Sequence, residues 1–316
     1  MRKKEAVGMT AELVKVETPF ESEELAERWV KEAQVKPSSV EAYNKCVRHL
    51  LTYFVESGVR VPTRADMLKY REYLSVKYKA STAGLHLVVA RLFLGFLHRE
   101  GYLPTNPAEH LKGFKKSDSH AKSALSAEMT KVVLATFNTD KLHGKRDKAI
   151  FALMVICGLR CIEVARANIG DLENCGGVMR LHVQGKGRDD KSEAVNVPAG
   201  VYKLIREYLE MRGVFEPEEP LFVGWSASNR GGRLNTTALS KIVKAAMRKA
   251  GYDSPRLTAH SLRHTAATTA LKSGASLREV QQMLRHKSVA VTQVYLHELD
   301  ELENTATNLN ADKFGL

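Results

Sequence analysis

Cysteine is scarce in this chain. Its four thiols, Cys46, Cys157, Cys161 and Cys175, form no C-x-x-C pair and suggest no disulfide framework. Cys157 and Cys161 stand four apart on an apolar helical stretch with no further ligand cluster nearby, so they read as small buried hydrophobes. The sequence holds no run of about 18 consecutive apolar residues and no dominant basic amphipathic helix, which argues against a bilayer span or a membrane-surface helix. The opening MRKKEAVGMTAELVKVETPFESEEL lacks the apolar core of a signal peptide. Internal repeats and low-complexity tracts are missing too. Acidic residues are also in deficit: 36 Asp and Glu face 48 Lys and Arg, a net charge of +12. An excess of that size points to a polyanion, because basic side chains release counterions from a phosphate backbone. Nucleic acid is favoured over an anionic membrane or a basic protein with no such partner.

What is present reads as two domains, as expected for 316 residues. Residues 1–20 read as a flexible arm. ESEELAERWVKEAQ is a helix with acids in its first turn, broken by Pro37. SSVEAYNKCVRHLLTYFVESG predicts a second helix from a serine cap, and TRADMLKYREYLSVK and STAGLHLVVARLFLGFLHREG a third and fourth. These fill a helical domain over 21–113. The basic, apolar-poor stretch around Lys115 to Ser123 marks a linker at 114–123. The second domain, 124–298, is mostly helical. MRLHVQ and EAVNVP flank a Gly-Lys-Gly loop as a hairpin, and EPLFVG reads as a further short strand. The fold class is therefore mainly α with a small antiparallel sheet. A tail follows at 299–316.

The chemistry gathers in four places. HSLRH crowds His260, Arg263 and His264 onto one helix face at i, i+3 and i+4. It lacks the glutamate of H-E-x-x-H, having Ser261 there, and an arginine beside the histidines suits an oxyanion better than a divalent metal. GLR places Arg160 where an apolar helix meets a loop, with Glu163 three residues on to orient it. Taken alone, Arg160 reads as an ordinary helix-end arginine. Lys186 stands between two glycines at a hairpin tip, with Arg188 and Lys191 as neighbours able to share its role. LRHKSVAVTQVYLHEL sets His286 nine residues before Tyr295, a nucleophile only if flanking cations favour its phenolate.

Their order is more telling than any one of them. G-L-R-x-x-E, then G-K-G, then H-x-L-R-H, then L-x-H-x-S-x-x-x-T-Q-x-Y-x-H resembles the tyrosine recombinases, the family of phage and transposon integrases and the Xer recombinases. The resemblance covers 120–297 in motifs and 21–113 in helical pattern. It implies an all-helical, SAM-like core-binding domain and an α+β catalytic domain, closed as a C-shaped clamp on duplex DNA. It implies a tyrosine, Tyr295, that forms a 3′-phosphotyrosyl bond and frees a 5′-hydroxyl, without ATP or metal, so no cofactor is expected. Arg160 and Arg263 would clamp the non-bridging oxygens, Lys186 would protonate the leaving oxygen, and His260 would serve as base then acid. His286 would hydrogen-bond the phosphate, with Glu163 supporting and His264 holding its helix.

Further DNA contacts are expected from Lys45, Arg48, Lys69, Arg71, His86 and Arg91 in the helical domain, and from Arg188. Arg285 stands where the family commonly has glycine and is expected near backbone phosphate. About 20 residues precede the first helix, so an arm-binding domain is expected to be absent. Leu299, Leu302 and Leu309 are tail contacts for a neighbouring protomer, in a tetramer on two DNA sites formed from a monomer or weak dimer, with or without an accessory protein. Action in the cytoplasm, at the nucleoid, follows. Integration or excision of a mobile element is the favoured role, with Xer-type dimer resolution the alternative. A type IB topoisomerase, a telomere resolvase, a non-catalytic DNA-binding regulator and a metal hydrolase on HSLRH are the rival readings.

Overall fold

A computed structural model describes residues 23–115, 123–185, 187–213, 215–303 and 313–314. The expected arm, most of the expected linker and Lys186 lie outside the described residues, and the tail leucines lie outside the described side chains. The chain divides into two compact units, Met1–Ser119 and His120–Leu316.

The first unit is four helices: α1 (Glu23–Glu32), α2 (Pro37–Glu56), α3 (Arg64–Lys77) and α4 (Ala80–Arg99). Pro37 does not lie between helices as expected; it opens α2, where its missing N–H costs nothing and its fixed φ suits the first turn. Thr63 caps α3: its hydroxyl accepts from the Asp66 N–H, and the Asp66 carboxylate accepts from the Thr63 N–H at 3.0 Å. By length and composition α4 alone among the described helices is apolar enough to cross a membrane, but half of that stretch is buried inside the unit. Its Leu87, Phe93, Leu94 and Leu97 join Trp29, Leu50, Phe54 and Leu74 in one core.

Polar residues of α3 and α4 have local partners, among them three of the expected DNA contacts. Arg91 donates to the carbonyls of Ala108 (3.2 Å) and Leu111 (2.6 Å), pinning the segment after α4. Arg71 donates to the Lys112 carbonyl at 2.8 Å and lies over the Phe114 ring. His86 is buried, stacked on Tyr78 with ring centroids 5.0 Å apart and edge-on to His49 at 4.6 Å. Their basic character is spent on carbonyls and rings. Lys45, Arg48 and Lys69 remain exposed.

Burial, with His49, Lys45 and Lys77 nearby, pulls His86 down to about 4 from an ordinary 6.5. The unfolded chain therefore takes up a proton below pH 6.5 that the folded chain refuses until pH 4. The stability contribution is full above pH 6.5 and declines as pH falls through that window, by roughly 1.4 kcal/mol per unit. H86F fills the site without titrating and is expected to make the decline between pH 6.5 and 4 shallower, leaving the part contributed by the neighbouring His49, which burial also lowers. Urea unfolding followed by the buried Trp29, in a W225F background, checks it.

The second unit places α5 (Ala127–Ala135), α6 (Leu142–Ile156), α7 (Cys161–Arg166), α8 (Ala199–Arg212), α9 (Thr236–Lys249), α10 (Ala259–Lys272), α11 (Leu277–Leu284) and α12 (Ala290–Glu303) beside a sheet. Helix α6 is buried continuously from Ala149 to Val155, as a helix apolar on all sides must be, and packs on α5, α8, α9 and α10. Serine and asparagine caps hold α5 and α9: Ser126 accepts from the Met129 N–H and Asn235 from the Ala238 N–H.

The sheet is antiparallel in the order β1 (Leu172–Cys175), β2 (Val178–Val183), β3 (Glu193–Asn196). β2 and β3 are the expected hairpin. β1 was not expected. Its side chains are only half-buried or exposed, so no alternation marks it, but Gly176 and Gly177, both at positive φ, supply the tight turn into β2. EPLFVG is not a strand. It makes only isolated bridges, Asn168 to Pro220 and Val223 to Arg233. Proline has no N–H for a ladder there.

Candidate active site

The site is built where the turn between α6 and α7 meets the turn between α11 and α12. Gly158 takes a left-handed φ of 65° after α6. This exposes its carbonyl to Arg263, whose Nη1 donates to it at 2.6 Å while Nη2 donates to the Leu284 carbonyl at the end of α11. Arg263 is 1% exposed. Burial and then Arg160 pull its guanidinium down to about 9, so it stays cationic at neutral pH. A Cβ on Gly158 would sit 2.7 Å from Leu284 Cδ2. G158A combines left-handed strain with this crowding, and about 2–4 kcal/mol of lost stability is expected in urea unfolding.

Arg160 precedes α7. Its backbone N–H donates to Glu163 Oε2 (2.8 Å) and its Nη1 to Oε1 (2.9 Å). Glu163 is fully buried. Burial alone would raise its carboxyl; Arg285, the Arg160 N–H, Arg160 and Arg263 outweigh burial and hold it below the usual carboxylate range. Arg160 keeps 32% of its side chain exposed, so part of its fork stays free to meet a ligand. Arg285 faces inward, 4% exposed, on Glu163. That placement departs from the expected phosphate contact, because the buried carboxylate is the stronger partner available.

Helix α10 begins with the H-S-L-R-H motif. Ser261 anchors its first turn, accepting from the Thr258 N–H at 3.0 Å and donating to the Arg256 carbonyl at 2.9 Å. The motif does not point one way: His260 is exposed, while Arg263 and His264 are buried. His264 lies against the Tyr295 ring, centroids 5.0 Å apart. From the other side His286 stacks on Tyr295 at 6.3 Å and 14°. His286 Nδ1 shares a 2.9 Å hydrogen bond with Thr292 Oγ1. Burial, then Arg263, Arg160 and Arg285, lower His286 to about 4, so its ring is neutral at pH 7. With the threonine hydroxyl as donor, Nε2 carries the ring proton and is a hydrogen-bond donor.

Arg160, Glu163 and Arg285 thus form one ion-paired cluster and His264, Tyr295 and His286 one set of packed rings, while Arg263 ties together the two turns beside them. A cavity of about 680 Å³ opens beside them, lined by Arg160, His260 and Arg263 together with Cys161, Lys241 and Lys244. The last three were not foreseen. Nothing in KIVKAAMRK marks two lysines of α9 as cavity residues. Thr292 was also missed, although it stands inside the tyrosine motif. Of the hairpin cations, Arg188 pairs with Glu193 at 2.8 Å and Lys191 with Asp171. Arg166 donates to the Gly185 carbonyl at 3.2 Å and so holds the loop beside Lys186.

A helical unit, then a helical unit with a three-stranded sheet that gathers arginines, histidines and a buried tyrosine, is the arrangement of the tyrosine recombinases. Residues 124–301 match the phage integrase family. The chain is 30% identical over 277 residues to the tyrosine recombinase XerC of Pelobacter propionicus, covering 86% of this chain and 88% of that one. Its fold resembles the XerH site-specific recombinase bound to palindromic difH substrate in a post-cleavage complex: TM-score 0.70, 21% identity, 88% of this chain and 82% of that one. It also resembles lambda integrase, solved as a tetramer bound to a Holliday junction: TM-score 0.67, 15% identity, 86% and 76%. The chain belongs to the phage integrase family and is a tyrosine recombinase, a DNA-cleaving and rejoining enzyme.

Proposed function

We propose that Tyr295 is the nucleophile of site-specific recombination and that the side chains gathered around it form the phosphoryl-transfer site. The observation that carries this reading is the enclosure of Tyr295 between His264 and His286, on a scaffold held by three buried or half-buried arginines, Arg160, Arg263 and Arg285. The tyrosine oxygen attacks the scissile phosphorus, the bond to the 5′-oxygen breaks, and a 3′-phosphotyrosyl ester forms. The tyrosine proton passes to His260, and the departing 5′-oxygen takes a proton from Lys186. Arg160 and Arg263 stabilise charge on the non-bridging oxygens, where preorganised donors are worth most. His286 donates from Nε2. Rejoining by a partner strand's 5′-hydroxyl reverses each transfer, so ester energy is conserved and strand exchange passes through a Holliday junction.

The substrate is duplex DNA at two sites, held by a tetramer. Exposed Lys45, Arg48, Lys69 and the hairpin cations supply backbone contacts. Such a substrate places the protein in the cytoplasm, on the nucleoid. The role we carry forward is integration or excision of a mobile element, with Xer-type dimer resolution as the alternative.

The chemistry is read at the DNA ends. The protein is incubated with fragmented source DNA and stopped with detergent, and the attached DNA is challenged with exonucleases. Protein-blocked 3′ ends and kinase-labelled free 5′-hydroxyls are expected. Blocked 5′ ends would contradict the direction of attack.

A further inference from the structure

Arg285 adopts a conformation and a location that are both costly. Its φ of 54° and ψ of 45° are left-handed, a region that charges a side chain about 1–2 kcal/mol. Its guanidinium is buried with Nε lacking a hydrogen-bond partner. In return Nη2 donates to Glu163 Oε2 at 2.6 Å and Nη1 to the Met283 carbonyl at 2.6 Å. Glu163 is thereby shared. One carboxylate accepts from the Arg160 backbone, the Arg160 fork and the Arg285 fork.

The sharing has a consequence for the reaction. If Arg160 alone neutralised Glu163, turning its fork toward a phosphate would strand a buried charge, which costs several kcal/mol. With Arg285 in place the carboxylate stays paired while Arg160 engages. The residue after Arg285 is His286, so the same ion pair also fixes the turn that presents the histidine. Arg263 joins the same two segments independently, through the Gly158 and Leu284 carbonyls.

We propose that Arg285 is a positioning residue: from its left-handed cap it holds the far side of Glu163, so that one buried carboxylate aligns both the Arg160 turn and the His286 turn for phosphoryl transfer. This rests on the recombinase reading above.

The test uses the full chain and a nicked duplex carrying a cleavage site recovered by adduct capture. R285G tolerates the positive φ, so its backbone keeps its path. It is expected to form the covalent adduct about 10–100-fold more slowly while binding the duplex within about twofold of wild type. R285K, a charge without a fork, should fall between the two. In an E163Q background, R285G should cost no more than about twofold further, because both changes break one tie. If R285G does not fold, R285K alone and R285K in the E163Q background carry the same comparison. Wild-type rates in R285G, affinity falling in step with cleavage, or additive losses with E163Q would each overturn the inference alone. A wild-type chain that forms no adduct overturns the recombinase reading, and the inference with it.

Discussion

Y295F is expected to form no detergent-resistant adduct with DNA, while its gel-shift affinity stays within about twofold of wild type. The substitution removes one oxygen from a side chain that is 7% exposed and packed with Ala267, Val280 and Leu284. The ring that fills that space is kept, so the packing between α10, α11 and α12 persists. The atom proposed to attack is lost, and covalent catalysis has no substitute for it. Y295F that still forms an adduct would move the nucleophile elsewhere. Y295F that no longer binds DNA would show that the tyrosine holds substrate or fold instead.

R263M is expected to lose both stability and rate. Two carbonyls, Gly158 and Leu284, are left without their donor inside the protein. An unsatisfied buried acceptor costs about 1–3 kcal/mol, so roughly 2–4 kcal/mol should disappear from the unfolding free energy. Relief of repulsion from Arg160 and Arg285 offsets part of it. Adduct formation should fall by about 10²–10³-fold, the cost of removing one preorganised donor from a developing oxyanion. R263K separates the two effects. It keeps the charge but cannot bridge two carbonyls and still present a donor to phosphate, so rate should drop further than stability. Equal losses in R263K would assign Arg263 to the scaffold only.

The sequence and the structure agree on what depends on short spacings. Glu163 was expected to orient Arg160 from three residues away, and the ion pair forms at 2.9 Å. The helices α1 to α4 follow the apolar periodicity, because each had one core to face. What could not be read depends on partners far along the chain. Arg285 reaches a carboxylate 122 residues away. Arg91 and Arg71 spend their donors on carbonyls 17 to 42 residues ahead. His86 looks like a surface cation in sequence and is a stacked core ring in the fold. The direction of the H-S-L-R-H side chains was likewise set by packing: α12 covers His264 and α11 receives Arg263, which leaves only His260 outward. β1 is short and half-exposed, so its sole cue was the glycine pair behind it.

The central claim is that Tyr295 carries the DNA in the covalent intermediate. The most direct measurement is peptide mapping of the trapped adduct after nuclease and trypsin digestion. The tryptic peptide 288–313 contains one tyrosine, Tyr295, so a nucleotide mass on that peptide identifies the residue. A phosphonucleotide is expected on peptide 288–313, absent from Y295F. The same mass on any other tyrosine-bearing peptide, with 288–313 unmodified, would contradict it.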